Sequence, residues 1–297
     1  MLFTQNFNVK TMTQSIQEII EQRYSCRSYT DEPIQETHRQ ALYNFIMAHR
    51  TGPLGTQARF ELVSATQDDR QSLKGLGTYG YIKNPTCFII GAIRQSPKYL
   101  EEYGYLLEHI ILYATDMGLG TCWLGGTFSK SNFAKKISLR DEEAIPAVVS
   151  TGCSVKKNGS GEWTRSYLKA NRRFPTDQLF FADEFGNPLV MDAAGEYSQP
   201  LEMVRRAPSA SNKQPWRIVR VGDAWHFYLQ RTKGYGKGTL IFRMLRLADL
   251  QRVDIGIAMC HFELSARSLG LRGRWIVEDP KLNKTENIEY TITWINE

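Results

Sequence analysis

The sequence predicts an α+β chain built from two diverged copies of one module, and three observations lead there. Helix-period and strand-period segments follow one another along all 297 residues, a length that allows two domains. A turn-rich stretch with few apolar anchors, Asp183–Pro200, interrupts them, and the order of elements starts again beyond it. Shifting the second half back by 152 positions then registers the two longest helical segments: His261 falls on His109, Ala266 on Ala114, Gly270 on Gly118, Leu271 on Leu119 and Trp275 on Trp123. The identities coincide with the same helix, the same Gly-Leu stop and the same following strand, which is the signature of an internal repeat. On this reading residues 1–14 are a loose leader, 15–182 the first copy, 183–200 a connector and 201–297 a second, shorter copy.

Each element has a local reason. Ile16, Ile19, Ile20 and Tyr24 recur at helical spacing, with Ser15 as N-cap and Glu18 three residues on, so a helix runs from Ser15 to Arg23. A second helix, Gln35–His49, carries Ala41, Leu42, Phe45, Ile46 and His49 on one side until Thr51-Gly52-Pro53-Leu54-Gly55 breaks it. Phe60–Ser64 and the apolar run Thr86–Ile93 read as strands. The long helix Tyr99–Met117 shows the stripe Leu106, Ile110, Tyr113 and Met117, and Gly118 stops it. A strand in Leu119–Phe128, a short helix from Lys130, the strand Pro146–Gly152 and a surface loop at 154–165 complete the first copy. In the second copy a helix over Leu201–Arg206 precedes a polar turn, the strands Trp216–Gly222 and Ala224–Gln230, the helix Leu250–Leu269 and the strand Gly273–Asp279. His109 and His261 occupy equivalent mid-helix places and are expected to pack between the two long helices rather than to catalyse.

Composition narrows the function. A hydrophobic fraction of 42% with 23% charged residues is ordinary for a soluble protein. No apolar run approaches the roughly 18 residues of a membrane span, and Met1–Gln14 holds no signal-length apolar stretch. The expectation is a cytoplasmic protein with no membrane partner. Five scattered cysteines (Cys26, Cys87, Cys122, Cys153, Cys260) form no CxxC and no metal-ligand pattern with histidine, so neither a disulfide framework nor a metal site is expected. A net charge of +6 suits an anionic small molecule; without a long Lys/Arg block or a zinc-finger or RNA-recognition spacing, it gives no reason to expect nucleic acid.

Four stretches carry chemistry. Arg23, Ser25 and Arg27 alternate past a helix end, so an extended segment puts two guanidiniums and a hydroxyl on one side, a set that grips phosphate. Taken alone, the same residues read better as a solvated basic helix end, which also complements the helix dipole. In the turn Ala207–Trp216, Pro208 fixes the chain, Ser209, Ser211 and Asn212 around Ala210 offer short polar groups and Gln214 adds an amide, a set suited to the polar edge of a heteroaromatic ring or, more commonly, simply to an Asx/Ser turn. Leu124-Gly125-Gly126 follows a strand and allows backbone N–H groups to approach a ligand. Arg172 and Arg173 add two cations to the segment leaving the first copy.

Taken together, these four stretches make the chain resemble the nitroreductase-like FMN-dependent oxidoreductases, from about residue 15 to 280. The motif Arg-x-Ser-x-Arg stands at Arg23, Ser25 and Arg27, and Pro-Ser-x-x-Asn-x-Gln-Pro-Trp at Pro208, Ser209, Asn212, Gln214, Pro215 and Trp216. The helix–Gly-Leu-Gly–strand–Gly element spans Gly118 to Gly126, the closing strand into a glycine spans Val148 to Gly152, and Arg-Arg-x-Pro stands at Arg172 to Pro175. The resemblance implies antiparallel-dominated mixed sheets flanked by helices, and FMN held between two subunits, one giving the phosphate grip and the other the turn under the ring. Here the first copy lacks Asn and Trp in its turn (Gly52–Gln57) and the second lacks the Arg-x-Ser-x-Arg, so each half keeps what the other has lost. The implied molecule is an intrachain pseudodimer, functional as a monomer, with one FMN. Gly125 stands where many members carry Glu, and a further ring contact falls loosely on Tyr79. The implied reaction passes hydride from NAD(P)H through the flavin to a small electron-poor acceptor such as a nitroaromatic, a quinone or a flavin. Flavin binding without turnover, reductive dehalogenation and enoate reduction remain alternatives.

Overall fold

A computed structural model describes residues 12–66, 69–155, 172–235 and 247–297. Residues 1–11 of the expected leader and 156–165 of the expected surface loop lie outside the described residues. The end of the leader is tied down: Thr13 and Gln14 donate backbone N–H groups to the Asp116 carboxylate at 2.8 and 3.0 Å.

Helix α1 (Ile16–Gln22) begins on a complete capping box between Ser15 and Glu18, and buries Ile16, Ile19 and Ile20. Helix α2 (Glu36–Ala48) buries Leu42, Phe45 and Ile46. The long helices are α3 (Tyr99–Asp116) and α6 (Leu250–Ser268), with α4 (Lys130–Lys136) and α5 (Ser198–Arg206) between them. Helices α3 and α6 end identically. Gly118 and Gly270 take φ of 76° and 78°, and the next N–H, of Leu119 or Leu271, reaches back to Ala114 O or Ala266 O at 3.0 Å. This is a Schellman stop, repeated at a spacing of 152 residues.

The strands form two five-stranded sheets. One contains β1 (Ala58–Ser64), β2 (Cys87–Arg94), β3 (Gly120–Leu124) and β5 (Val148–Gly152) in the order β1-β2-β5-β3, with β4 (Glu143–Ala144) also on β2. The other contains β6 (Phe180–Ala182), β7 (Trp216–Val221), β8 (Ala224–Gln230), β9 (Gly273–Ile276) and β10 (Ile288–Asn296) in the order β6-β7-β8-β10-β9. With β4 and β6 set aside, each sheet follows one path, first-second-fourth-third in chain order, with antiparallel pairs throughout. Strand β6 alone runs parallel, on the edge beside β7. It lies within residues 15–182 yet joins the second sheet, so the tail of the first half crosses to the second.

Helices α3 and α6 cross at the centre of the main core. A Cβ on Gly104 would strike Val253 O, and one on Gly256 would strike Glu101 O. These contacts are reciprocal under the 152-residue shift, so glycine is needed on both helices for the backbones to approach this closely. The two histidines part company here. His109 packs edge-on to Phe45 and His49 of the α2 side, at ring-centroid distances of 5.0 and 4.9 Å. His261 does lie between the long helices, but through hydrogen bonds: Nδ1 meets Met203 O at 3.0 Å and Nε2 meets Glu108 Oε1 at 2.9 Å.

Candidate functional site

A cleft of about 340 Å³ opens between the halves. Its first-half wall comes from the segment after α1 (Arg23, Ser25, Arg27), the loop after β3 (Gly125, Gly126, Thr127), and Tyr81, Trp123 and Ala147. Its second-half wall comes from the turn Pro208–Asn212, from Tyr235 and Leu247, and from Leu250, Val253, Asp254 and Ile257 of α6; Arg173 closes one end.

The segment after α1 is held extended by two pairings. Cys26 N–H donates to Thr121 O at 2.8 Å and Lys83 N–H to Arg27 O at 2.8 Å, so Ser25 and Arg27 are fixed against the first half. Arg27 lies over the Tyr81 ring, 5.0 Å from its centroid. Its Nε is buried without a hydrogen-bond partner among the described residues. Arg23 is anchored from behind: its Nε lies 3.9 Å from Glu108 Oε1, and the same carboxylate accepts from Trp123 Nε1 at 2.7 Å. Arg173 donates to Asn212 Oδ1 at 3.2 Å and to Arg206 O at 3.0 Å. Burial and then the repulsion of Arg23, Arg205 and Arg206 push its pKa down to about 10. Such crowding of cations fits a strongly anionic ligand.

The turn is held rigidly. Ser209 Oγ accepts from Gln214 N at 2.8 Å, and Asp254 Oδ1 accepts from Ala210 N at 2.9 Å. Ser211, Asn212 and Gln214 all have positive φ, of 50°, 53° and 48°. Asn212 Nδ2 donates to Arg172 O at 2.9 Å, and Gln214 Oε1 accepts from Phe174 N at 2.8 Å. These two amides therefore hold the crossing segment from the first half onto the turn. Across the cleft, a Cβ on Gly125 would meet Leu250 Cδ1 at 2.5 Å and one on Gly126 would meet Leu247 Cδ2 at 3.2 Å. The loop glycines thus lie directly against the Leu250 and Leu247 side chains.

Of the residues expected from sequence, Arg23, Ser25, Arg27, Gly125, Gly126, Arg173, Pro208, Ser209, Ala210 and Asn212 share the cleft. Four do not line it. Tyr79 is 76% exposed, in a turn closed by Tyr81 N to Thr78 O, and the cleft-facing tyrosine is Tyr81. Leu124 points into the second apolar cluster, because it is the last residue of a buried strand. Arg172 and Gln214 line a neighbouring cavity with Lys213 and Arg217, since the crossing segment offers Arg172's carbonyl, not its side chain, to the turn. Tyr235, Leu250 and Asp254 are cleft residues outside the motifs, and Trp123 lies inside the Gly118–Gly126 element without being one of its motif positions. Trp123 alone had a signal, as one of the positions repeated at 152.

Among the described residues no group of three His, Cys, Asp or Glu could hold a metal, and no helix is long and apolar enough to cross a membrane. The chain matches, over residues 15–266, the family model described as "Putative TM nitroreductase". Among solved structures, a Thermotoga maritima protein named as a "putative nitroreductase" aligns with 95% of this chain and 94% of its own at 20% identity, with a TM-score of 0.58. A nitroreductase family protein from Clostridium difficile covers 55% of this chain and 94% of its own at 17% identity and a TM-score of 0.41. An FMN-dependent nitroreductase from Clostridium difficile covers 50% of this chain and 94% of its own at 15% identity and a TM-score of 0.39. No curated relative matches the chain. The family match takes in both walls of the cleft, and the chain belongs to this nitroreductase family.

Proposed function

We propose that the protein is an FMN-dependent oxidoreductase whose one flavin site lies in the cleft between two diverged halves of a single chain, an intrachain pseudodimer. The observation that carries the reading is the meeting of Arg23, Ser25 and Arg27 from the first half with Pro208–Asn212 from the second, in a nitroreductase-family chain. The donor set fits the cofactor. Arg23, Arg27 and Arg173, with the Ser25 hydroxyl, match a phosphate dianion by charge-assisted hydrogen bonds. Pro208–Asn212 gives a rigid floor for the ring, and the Gly125-Gly126 backbone gives close approach opposite it. Leu250, Val253 and Ile257 of α6 keep that part of the cleft apolar, which strengthens any polar contact made inside it.

When bound, FMN supplies the redox chemistry: it takes hydride from a reduced nicotinamide and passes electrons to an electron-poor acceptor such as a nitroaromatic, quinone or free flavin. The residues of the chain bind it, orient it and exclude water. The protein needs no partner chain for this, because both walls come from one polypeptide. The test is spectroscopic. Protein reconstituted with FMN and held without oxygen should bleach on addition of NADH or NADPH and regain its colour with a quinone. Flavin that binds tightly yet stays oxidised under both nicotinamides would instead mark a carrier or sensor.

A further inference from the structure

Asp254 sits near the start of α6 on the cleft wall, 2% exposed. Its Oδ1 accepts the Ala210 N–H at 2.9 Å, while Oδ2 is buried with no hydrogen-bond partner among the described residues. Among the described residues no cation pairs with it: Arg252, two positions earlier, forks onto Glu101 at 2.9 and 2.7 Å, and Arg231 pairs with Asp249 and Glu289. A buried carboxylate with one hydrogen bond and no countercharge is costly, and protonation removes the cost. Burial pushes the group well above the usual carboxylate range against the pull of the Ala210 N–H, and Asp249 adds a smaller repulsion. With Oδ1 accepting as the carbonyl, the proton belongs on Oδ2, which becomes a buried donor in want of an acceptor.

The equivalent position in the first half sharpens the contrast. Glu102 lies 152 residues earlier and ties its own turn to its own long helix, but both of its oxygens are used: Oε1 accepts from Leu54 N at 2.6 Å and Oε2 from Thr56 N at 2.7 Å. Its side chain also fills the space over Gly52, where a Cβ would strike it. The longer residue closes its turn completely, whereas the shorter one leaves a polar atom over, on the wall of the cleft.

We propose that Asp254 is a neutral carboxylic acid whose Oδ2 hydroxyl donates a hydrogen bond to an acceptor atom on the edge of a planar heteroaromatic ligand in the cleft. This rests on the flavin reading for the ligand. It makes Asp254 a ligand-contacting residue that favours the more electron-rich state of the ring, so the bound flavin is easier to reduce than it would be without this contact.

Three forms of the protein decide it: wild type, Asp254→Asn and Asp254→Leu. Asn keeps an acceptor for Ala210 N–H and a donor at the second position; Leu keeps the bulk and loses both. Each is checked for folding by circular dichroism, then titrated with FMN by fluorescence quenching and poised for its midpoint potential. The expected result is Asn within about threefold of wild type, and Leu about tenfold weaker with a lower potential, a loss typical of one buried hydrogen bond. Equal affinity and potential in wild type and Leu would overturn the proposal, as would markedly tighter binding by Asn, the mark of an ionised, repelling Asp254. The infrared spectrum at pH 7 separates this inference from the flavin reading. A protonated-carboxyl C=O band lost in Asn supports it whether or not FMN binds, and absence of that band overturns it. Failure of the wild type to bind FMN with the band present sinks the flavin reading alone.

Discussion

Gly104 and Gly256 sit on one another where the two long helices cross; a Cβ placed on Gly104 would lie 3.2 Å from Gly256 Cα and would strike Val253 O before that. The two positions are 152 residues apart, and each presses on the backbone at the position that corresponds to the other's contact. Val253, whose backbone Gly104 presses on, also lines the cleft.

In an ordinary exposed helix, Gly→Ala stabilises by about 0.5–1 kcal/mol. Here the sign should reverse. Gly104→Ala should lower stability by about 2–3 kcal/mol, the cost of overpacking a tight core. Urea denaturation measures this through its midpoint. A Gly104→Ala protein as stable as wild type would mean that the halves are not locked at this point.

Phosphate gripping predicts a specific asymmetry among the arginines. Arg27→Ala should weaken FMN binding about 10- to 100-fold, the loss of a charge-assisted hydrogen bond worth about 1.5–3 kcal/mol. Arg94→Ala, which removes an exposed cation paired with Glu142, should leave affinity within about twofold. Fluorescence titration distinguishes the two outcomes, and equal effects would point to a general field rather than a site.

The tyrosines make a second matched pair. Tyr81 lines the cleft and supports Arg27, while Tyr79 stands out in solvent. Tyr81→Ala should cost FMN affinity several-fold, from loss of a cation–π contact worth about 0.5–2 kcal/mol and of cleft wall. Tyr79→Ala should cost none. The reverse order in the same titration would restore Tyr79 as the ring contact that the motif alignment suggested.

Acid should loosen the fold before the carboxylates titrate. Burial pushes the His109 pKa down to about 3, with the positive charge of a protonated His49 acting in the same direction. In the unfolded chain the imidazole takes a proton near pH 6.5. Between these values the unfolded state binds more protons, so stability is full above about pH 6.5 and falls as the pH drops toward 3. By pH 5 His109 alone should cost about 2 kcal/mol, at about 1.36 kcal/mol per unit. His109→Leu should show a smaller loss between pH 7 and pH 5 in urea midpoints, and an unchanged loss would assign the acid sensitivity elsewhere.

Much of this was legible because it is written in local signals. Ser15 with Glu18 announced α1, and Gly118 and Gly270 marked both helix stops, since caps and positive-φ glycines act within a few residues. The two motifs that meet in the cleft could be matched through their order and the repeat. Strand β10 is less legible although Ile288–Asn296 is rich in β-branched and aromatic residues, because a register shift between Tyr290 and Ile292 blurs its alternation. Tyr79 and Tyr81 differ by two residues, and only the turn between Thr78 and Tyr81 decides which faces inward. Asp254 gave no sign at all. A carboxylate early in a helix reads as a solvated N-terminal residue favoured by the dipole, and only the packing of the second-half turn over it makes it a buried acid.

The measurement that bears most directly on the account is flavin stoichiometry per chain, from the visible spectrum and protein concentration of FMN-saturated, desalted protein, with the molecular mass in solution recorded alongside. One flavin on a 34.0 kDa monomer is the predicted result. Two flavins per chain, none, or one bound only by an oligomer would contradict the claim that this polypeptide supplies both walls of a single site.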